Sequence, residues 1–467
     1  MNIAYVHFHL KRGGVTSVIK HQVEAVGNAH QTLIISSSKK CPICDSPAAY
    51  VPCLQYDTES YLDVTPEKLA REIEAAIFKT WPQGCDVIHV HNPTLAKNSD
   101  LIEALRILKD RGFALFLQIH DFAEDGRPNV YYKKPYLEDV HYGVINSRDY
   151  NILLQAGLKK EGLHLIPNQV DPFAPGNAAN DGYILYPVRG IRRKNIGEIL
   201  LLSLYAPPSH PMGITLPPNS PWEEKIHDHW KAAAEQYSLP VHFDVGLNNS
   251  YEKLVHSAFS MITTSVNEGF GFAFLEPWTA EKYVFGRRVD HVYRDFTDSG
   301  MIFEDLYPSL QVPTDWFDMQ DFCTRREKSI RRFGRLYGID VSAVDVNRSS
   351  YMLSENRRID FGMLDEAAQK QVIGALTSSA DKRADFADEN PVVTRFEQMA
   401  GKGPVIDNNR TIVLREYSRD QYRSRLLSVY SRVGQSSVEQ RIDKDAVLDS
   451  FFNPVDFCML RWPHVHE

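Results

Sequence analysis

The chain has 467 residues, 43% of them hydrophobic and 24% charged, with a formal net charge of −8 and a sequence pI of about 6.1. This is the composition of an ordinary folded domain, which excludes disordered and fibrous classes, and the length predicts two or three domains at roughly 150 residues each. The acidic balance excludes a general nucleic-acid binder, because net negative charge repels phosphate backbones at long range.

Met1–Phe8 enters a strand-like segment directly, without the basic and apolar regions of a secretory leader. No apolar run of about 18 residues follows. The expectation is a cytoplasmic chain without an integral membrane segment. Ile3–Phe8 reads as a strand, Lys11-Arg12-Gly13-Gly14 as a turn and Val15–Val26 as a helix; Thr32–Ile35 is a further apolar run. Cys41-Pro-Ile-Cys44, with Cys53 beyond it, has zinc-knuckle spacing. A structural zinc needs four ligands and no second pair follows, so free thiols and no metal are expected. Thr65 and Pro66 read as cap and first residue of a helix reaching Trp81. Then come a strand at Val87–His91, a helix at Ser99–Arg111, strands at Ala114–His120 and Gly143–Asn146, a helix capped by Ser147, and a strand at Leu163–Pro167.

Prolines and glycines between Pro167 and Gly182 mark a linker. The alternation then restarts: strand Tyr183–Val188, helix Asn195–Tyr205, strand Met212–Leu216, helix Pro221–Tyr237, strand Val241–Val245, helix Ser250–Ala258, strand Ser260–Thr264 and a helix from Phe272. Strands alternating with helices predict parallel sheets covered on both faces. The predicted class is therefore α/β: two Rossmann-like, doubly wound domains (1–172 and 183–330) facing a cleft, with a mostly helical C-terminal extension over 331–467. In this extension Ser418 caps a helix over Arg419–Val433, stopped by Gly434, whose apolar face (Tyr422, Leu426, Val429, Tyr430) is the candidate for crossing back to the first domain.

Four features carry chemistry. Glu268-Gly269-Phe270-Gly271-Phe272-Ala273-Phe274-Leu275-Glu276 sets two carboxylates around a glycine turn. The glycines admit a ligand to the backbone, the following helix start suits a diphosphate, and Glu276 about one turn into that helix suits a ribose diol. The bland alternative is a strand–turn–helix connection with two solvated glutamates. Arg189-Gly190-Ile191-Arg192-Arg193-Lys194 packs four cations into six residues of an acidic chain; Arg189 and Lys194 could both meet one diphosphate, where the alternative is a solvated basic turn. Gly13-Gly14 could bring backbone N–H groups to the same diphosphate. His120, ending an apolar strand, could face the ligand, although a lone histidine is more often structural; His89 and His91 are less specific still.

In order and spacing, Arg12-Gly13-Gly14, His120-Asp121, Arg189 with Lys194, and Glu268 through Glu276 resemble the retaining GT-B glycosyltransferases of family 4, over Met1 to Tyr307. The resemblance implies that Arg189 and Lys194 neutralise a donor diphosphate and Glu276 holds the ribose. It implies that Glu268 and the Gly269–Phe272 amides contact the donor sugar, that His120 sits near the reacting carbon and that Gly13 and Gly14 approach the diphosphate. It further implies transfer of a hexose from a UDP- or GDP-linked sugar to a hydroxyl acceptor, with retention of configuration and no cofactor or metal. A lipid or polysaccharide acceptor stays open, but the lack of a basic amphipathic helix of the membrane-surface type favours a small hydroxylated one; a homo-oligomer stays open. The chain departs from the family's pattern at Gly286-Arg287-Arg288-Val289-Asp290-His291 and in its long tail. The competing readings are an epimerase or phosphorylase on the same scaffold, or a non-catalytic sugar-binding protein.

Overall fold

A computed structural model describes residues 1–11, 13–39, 46–59, 64–174, 176, 182–342, 346, 357–399 and 403–462. Arg12, Cys41 and Cys44 lie outside the described residues. The chain divides into two compact units, Met1–Gln169 with Tyr417–Phe452, and Val170–Glu416 with Asn453–Glu467. Residues 331–467, expected as one extension, are thus shared between both units.

The first unit is built on seven strands: β1 (Asn2–Val6), β2 (Gln31–Ser36), β3 (Ala48–Tyr50), β4 (Val87–His91), β5 (Leu115–Gln118), β6 (His141–Val144) and β7 (Leu163–Leu165). All pair in parallel, in the order β3-β2-β1-β4-β5-β6-β7. Because successive side chains alternate between faces, one strand feeds two cores. Ala4 and Val6 join Leu33, Ile88 and Val90 beneath the helices Pro66–Thr80, Leu101–Asp110 and Lys444–Phe451. Ile3 and Tyr5 join Ile34, Val87 and Phe116 beneath the helices Gly14–Val26 and Arg419–Gln435. The last of these buries Tyr422, Leu426, Val429, Tyr430 and Val433, and Ser418 caps it by accepting from Gln421 N. It runs through Gly434 to Gln435, so that glycine does not stop it.

The cap of helix Ser147–Gln155 is Asn146 rather than Ser147: Asn146 has extended backbone angles and its Oδ1 accepts from Asp149 N at 2.8 Å.

The second unit repeats the design with β8 (Ile184–Arg189), β9 (Met212–Leu216), β10 (Val241–His242), β11 (Ser260–Thr263), β12 (Val284–Arg287) and β13 (Leu306–Tyr307). They are parallel, in the order β10-β9-β8-β11-β12-β13. An antiparallel pair, β14 (Gln311–Pro313) and β15 (Arg358–Asp360), adds a second small sheet. Helix Met319–Tyr337, unread in the sequence, starts on an Asp318 cap that accepts from Asp321 N and ends at left-handed Gly338. Gly286 in β12 has φ +136°, and a Cβ there would sit 1.9 Å from the Thr263 carbonyl oxygen; only glycine lets β12 lie against β11 at this point.

The second unit is tied together behind its sheet by one buried carboxylate. Glu198, on helix Ile196–Ser203, is 0% exposed. It accepts from Arg287 Nη2 (2.6 Å) and Nε (2.9 Å), from the Tyr307 hydroxyl (2.8 Å) and from Asn195 Nδ2 (2.7 Å). Arg287 also grips Asp360 of β15 at 2.7 and 2.8 Å. Burial works against the Arg287 charge, but Asp360 and Glu198 outweigh it and hold the guanidinium protonated. Taking one partner from such a pair strands a buried charge, at about 3–5 kcal/mol. We therefore expect Arg287→Ala to destabilise this unit by about that amount in urea unfolding; a change below about 1 kcal/mol would contradict the network's structural role.

Candidate active site

In doubly wound sheets ligands gather beyond the carboxyl ends of the strands, where strand order reverses. In the second unit this point lies between β8 and β11. The loops leaving those two strands carry Arg189–Lys194 and Glu268.

The four cations of the basic turn have four different fates. Arg189 Nη1 donates to the Pro217 carbonyl beyond β9 at 3.1 Å, and no hydrogen bond or ion pair joins it to Lys194 or Glu268. Arg192 makes a bidentate pair with Glu366 at 2.5 and 2.8 Å and donates to the Trp462 carbonyl at 2.9 Å; it is a structural residue. Lys194 Nζ meets Glu268 Oε1 at 2.5 Å. Arg193 has a buried Nε with no hydrogen-bond partner. Lys194, Glu268 and Arg193 thus form one cluster, while Arg189, expected to meet the same diphosphate as Lys194, bonds on the β9 side. The reason is local: β8 is flanked by β9 on one side and β11 on the other, and Arg189 turns to the β9 side.

The cluster's electrostatics follow from two cations sharing one carboxylate. Burial raises the Glu268 pKa, but Lys194 and Arg193 outweigh it and hold the carboxyl below its ordinary value. Burial lowers the Lys194 pKa; Glu268 opposes this and Arg193 adds to it. Arg193 also acts on the Glu223 carboxyl, and both side chains of the Lys194–Glu268 pair are nearly buried (13% and 11% exposed). The backbone beneath is clamped. The Tyr186 and Thr264 hydroxyls both donate to the Lys194 carbonyl, at 3.0 and 2.9 Å. Asn195 is left-handed at φ 52° and bonds Glu198 and Gln369. His291 Nε2–H donates to the Glu268 carbonyl at 2.6 Å. So His291 and Arg287, in the stretch that departs from the family pattern, both support the site.

The glycine turn behaves differently from its expectation. Gly271 is left-handed at φ +89°, with a would-be Cβ 2.5 Å from Val292 Cγ1. Phe270 is 7% exposed and packs edge-on to Phe272 and Phe296, which makes its ring a core element. Phe272–Phe274 is a 3-10 turn and the helix that follows is only Glu276–Thr279. Glu276 therefore opens a four-residue helix instead of sitting one turn into a long one, because Pro277 lacks an N–H and restricts the residue before it. Its Oε2 accepts from the Tyr251 hydroxyl at 3.2 Å. Gly269 is half-buried in the same turn.

In the first unit the reversal lies between β1 and β4, and histidines collect there. His120 Nε2 is 2.9 Å from His91 Nδ1, with the rings stacked at 5.2 Å. Asn92 Oδ1 accepts from His120 N at 2.7 Å. His7 Nδ1–H donates to the His91 carbonyl at 3.4 Å. His89 Nε2–H donates to Gln118 Oε1 at 3.0 Å and its Nδ1 lies 2.9 Å from the Tyr430 hydroxyl. His91 Nε2 is buried without a partner. Burial dominates all four rings: His7 is pushed down to about 3 and His120 to about 4, and His89 and His91 fall well below the ordinary value. His7 was missed in the sequence; the alternation His7-Phe8-His9 at a strand end was the available signal. Gly13 precedes and Gly14 opens helix Gly14–Val26. A Cβ on Gly14 would meet nothing within 4 Å, and one on Gly13 only the Lys11 carbonyl at 3.9 Å, so packing demands neither glycine. Cys53 is a buried free thiol whose pKa burial raises to about 11, and no group of three or more metal-binding side chains occurs among the described residues.

Histidines held neutral in the fold take up protons on unfolding below about pH 6.5. The stability they permit is full above that value and falls as pH drops through the window down to about 4 for His120 and about 3 for His7. We expect the unfolding free energy of the first unit to fall between pH 7 and pH 5, by roughly 1 kcal/mol per histidine per pH unit, and the urea midpoint to fall with it. A midpoint independent of pH would refute their neutral burial.

No family model matches the chain. Mannosylglucosyl-3-phosphoglycerate synthase of Petrotoga mobilis is 28% identical over 351 residues, 63% of this chain and 66% of that protein, so the chain covers just under two thirds of that relative's length. Among solved structures, a glycosyltransferase of Rickettsia africae matches with a TM-score of 0.52 at 13% identity, over 93% of this chain and 99% of that one. TarM matches with a TM-score of 0.51 at 11% identity, over 93% and 99%. No helix among the described residues is long and apolar enough to cross a membrane. With two parallel-sheet α/β units of seven and six strands, the chain has the fold of the GT-B glycosyltransferases.

Proposed function

We propose that the chain is a glycosyltransferase that moves a hexose from a nucleotide-diphosphate sugar to a hydroxyl acceptor, with retention of configuration. The observation that carries this reading is the nearly buried Lys194–Glu268 pair, with Arg193 beside it, at the strand-order reversal of the second unit. The Petrotoga relative, a mannosylglucosyl-3-phosphoglycerate synthase, supports sugar transfer and a hexose.

The chemistry matches the charge. Cleaving the bond between sugar and diphosphate adds negative charge to the leaving group and positive character to the ring. Cations fixed in advance where that charge grows lower the barrier without reorganising. Lys194 and Arg193 fill this role, with the Arg193 Nε still lacking a partner. Glu268 holds Lys194 in place and accepts from donor-sugar hydroxyls, and Glu276, beside the Tyr251 hydroxyl, accepts from the ribose. Gly13 and Gly14, glycines that packing does not demand, leave backbone N–H groups open to a phosphate. His120, neutral and bonded to His91, lies in the first unit's corresponding position. The leaving phosphate takes the acceptor's proton, so no separate base is required.

We expect Lys194→Ala to lower kcat by about 10²–10³-fold, the loss typical of one transition-state donor, and Arg193→Ala to cost more turnover than Arg189→Ala. Equal turnover in the two arginine variants would contradict the revised cluster. Glu276→Ala should weaken nucleoside diphosphate binding by about 1–3 kcal/mol, read by calorimetry; unaltered affinity would remove it from the nucleotide site.

A further inference from the structure

Three loops at the carboxyl edge of the first sheet bring Lys97, Tyr56 and His9 together. They follow β4, β3 and β1. Lys97 Nζ donates to the Tyr56 hydroxyl oxygen at 3.1 Å and sits 4.8 Å from the ring centroid. His9 Nε2 is 2.9 Å from the same oxygen. Lys11 N–H meets His9 Nδ1 at 3.3 Å, so Nδ1 accepts. Burial, with Lys11 and Lys97 adding to it, keeps the ring neutral. By this bonding the single ring proton is assigned to Nε2, which donates to Tyr56.

The consequence is a surplus of donors. The Tyr56 oxygen accepts from both Lys97 and His9, which leaves its own O–H without an acceptor among the described residues. An ammonium has three donors, and Lys97 uses one here. The carboxylates nearby are already paired: Asp121 takes Arg127 at 2.6 Å and Glu59 takes Lys11 at 2.8 Å. No carboxylate among the described residues forms an ion pair with Lys97, although it is half-buried; burial and Arg127 work against its charge and only Asp121, already paired with Arg127, supports it. A neutral hydroxyl would need acceptors as well as donors from the protein; a group bearing only acceptor oxygens fits donors alone.

We infer that Lys97 and Tyr56 hold an anionic oxygen group, a phosphate or a carboxylate, on the acceptor of the proposed transfer. The inference rests on that reading of the reaction and adds the acceptor's chemical class to it. The product named for the Petrotoga relative carries both kinds of group.

The test is calorimetry on the full chain saturated with UDP or GDP, titrated with 3-phosphoglycerate, glycerate, glycerol 3-phosphate and glycerol. At least one anionic probe should bind and glycerol should not. Glycerate against glycerol 3-phosphate tells carboxylate from phosphate. Lys97→Met should weaken the anion by about tenfold or more, the loss of one charged hydrogen bond, while Lys97→Arg stays within a few-fold of the parent. Nucleotide affinity should be the same in all three proteins, which also verifies folding. Glycerol binding as tightly as the anions, no anion binding at all, or undiminished binding by Lys97→Met would each overturn the inference. Absence of nucleotide binding in the parent chain would instead sink the transfer reading on which it rests.

Discussion

Glu198 is the constraint on which the second unit depends. A carboxylate with no exposure must have its oxygens filled by donors, since a buried charge left unpaired costs several kcal/mol. The donors come from Arg287 on β12, Tyr307 on β13 and Asn195 at the head of its own helix. Arg287 in turn holds Asp360 on the antiparallel pair β14–β15. One side chain thereby fixes the sheet, the strand pair and the left-handed residue that follows Lys194. Asparagine tolerates left-handed backbone better than most residues, and here its amide is used twice, toward Glu198 and from Gln369. The direction of the Lys194 ammonium is thus decided from the core outward.

The two units treat titratable groups at their carboxyl edges in opposite ways. The second gathers cations and keeps Lys194 charged through Glu268. The first buries histidines among Tyr5, Phe116 and Tyr430 until burial strips their charge. Neutral rings that accept and donate in sequence make a rigid polar wall without a field of their own. Lys97 stands at the edge of that wall, without an ion pair among the described residues.

The parallel-sheet organisation was legible because apolar strands such as Val87–His91 and Met212–Leu216 alternate with capped helices, and burial on both faces demands that pattern. The return of helix Arg419–Gln435 to the first unit was legible from its apolar face, since a stripe of Tyr422, Leu426, Val429 and Tyr430 must be buried somewhere. The Arg189–Lys194 turn and Glu268 stood out by charge density and by the glycine turn; Lys194 and Glu268 meet because both follow strands at a reversal of strand order. What could not be read was which cation does what. Arg189, Arg192, Arg193 and Lys194 differ little in local sequence, and their fates depend on Pro217, Glu366, Trp462 and Glu268, which lie far along the chain.

The amino-acid order by itself determined where strands and helices alternate, which faces must be buried and where charge is concentrated, because these follow from neighbours within a few residues. The tertiary structure alone decided that Arg193 and not Arg189 joins Lys194 and Glu268, that the helix after the glycine turn stops after four residues, and that Arg287 and His291 brace the site. Hydrogen-bond partners and local dielectric are set by groups brought together from distant positions, and no local pattern encodes them.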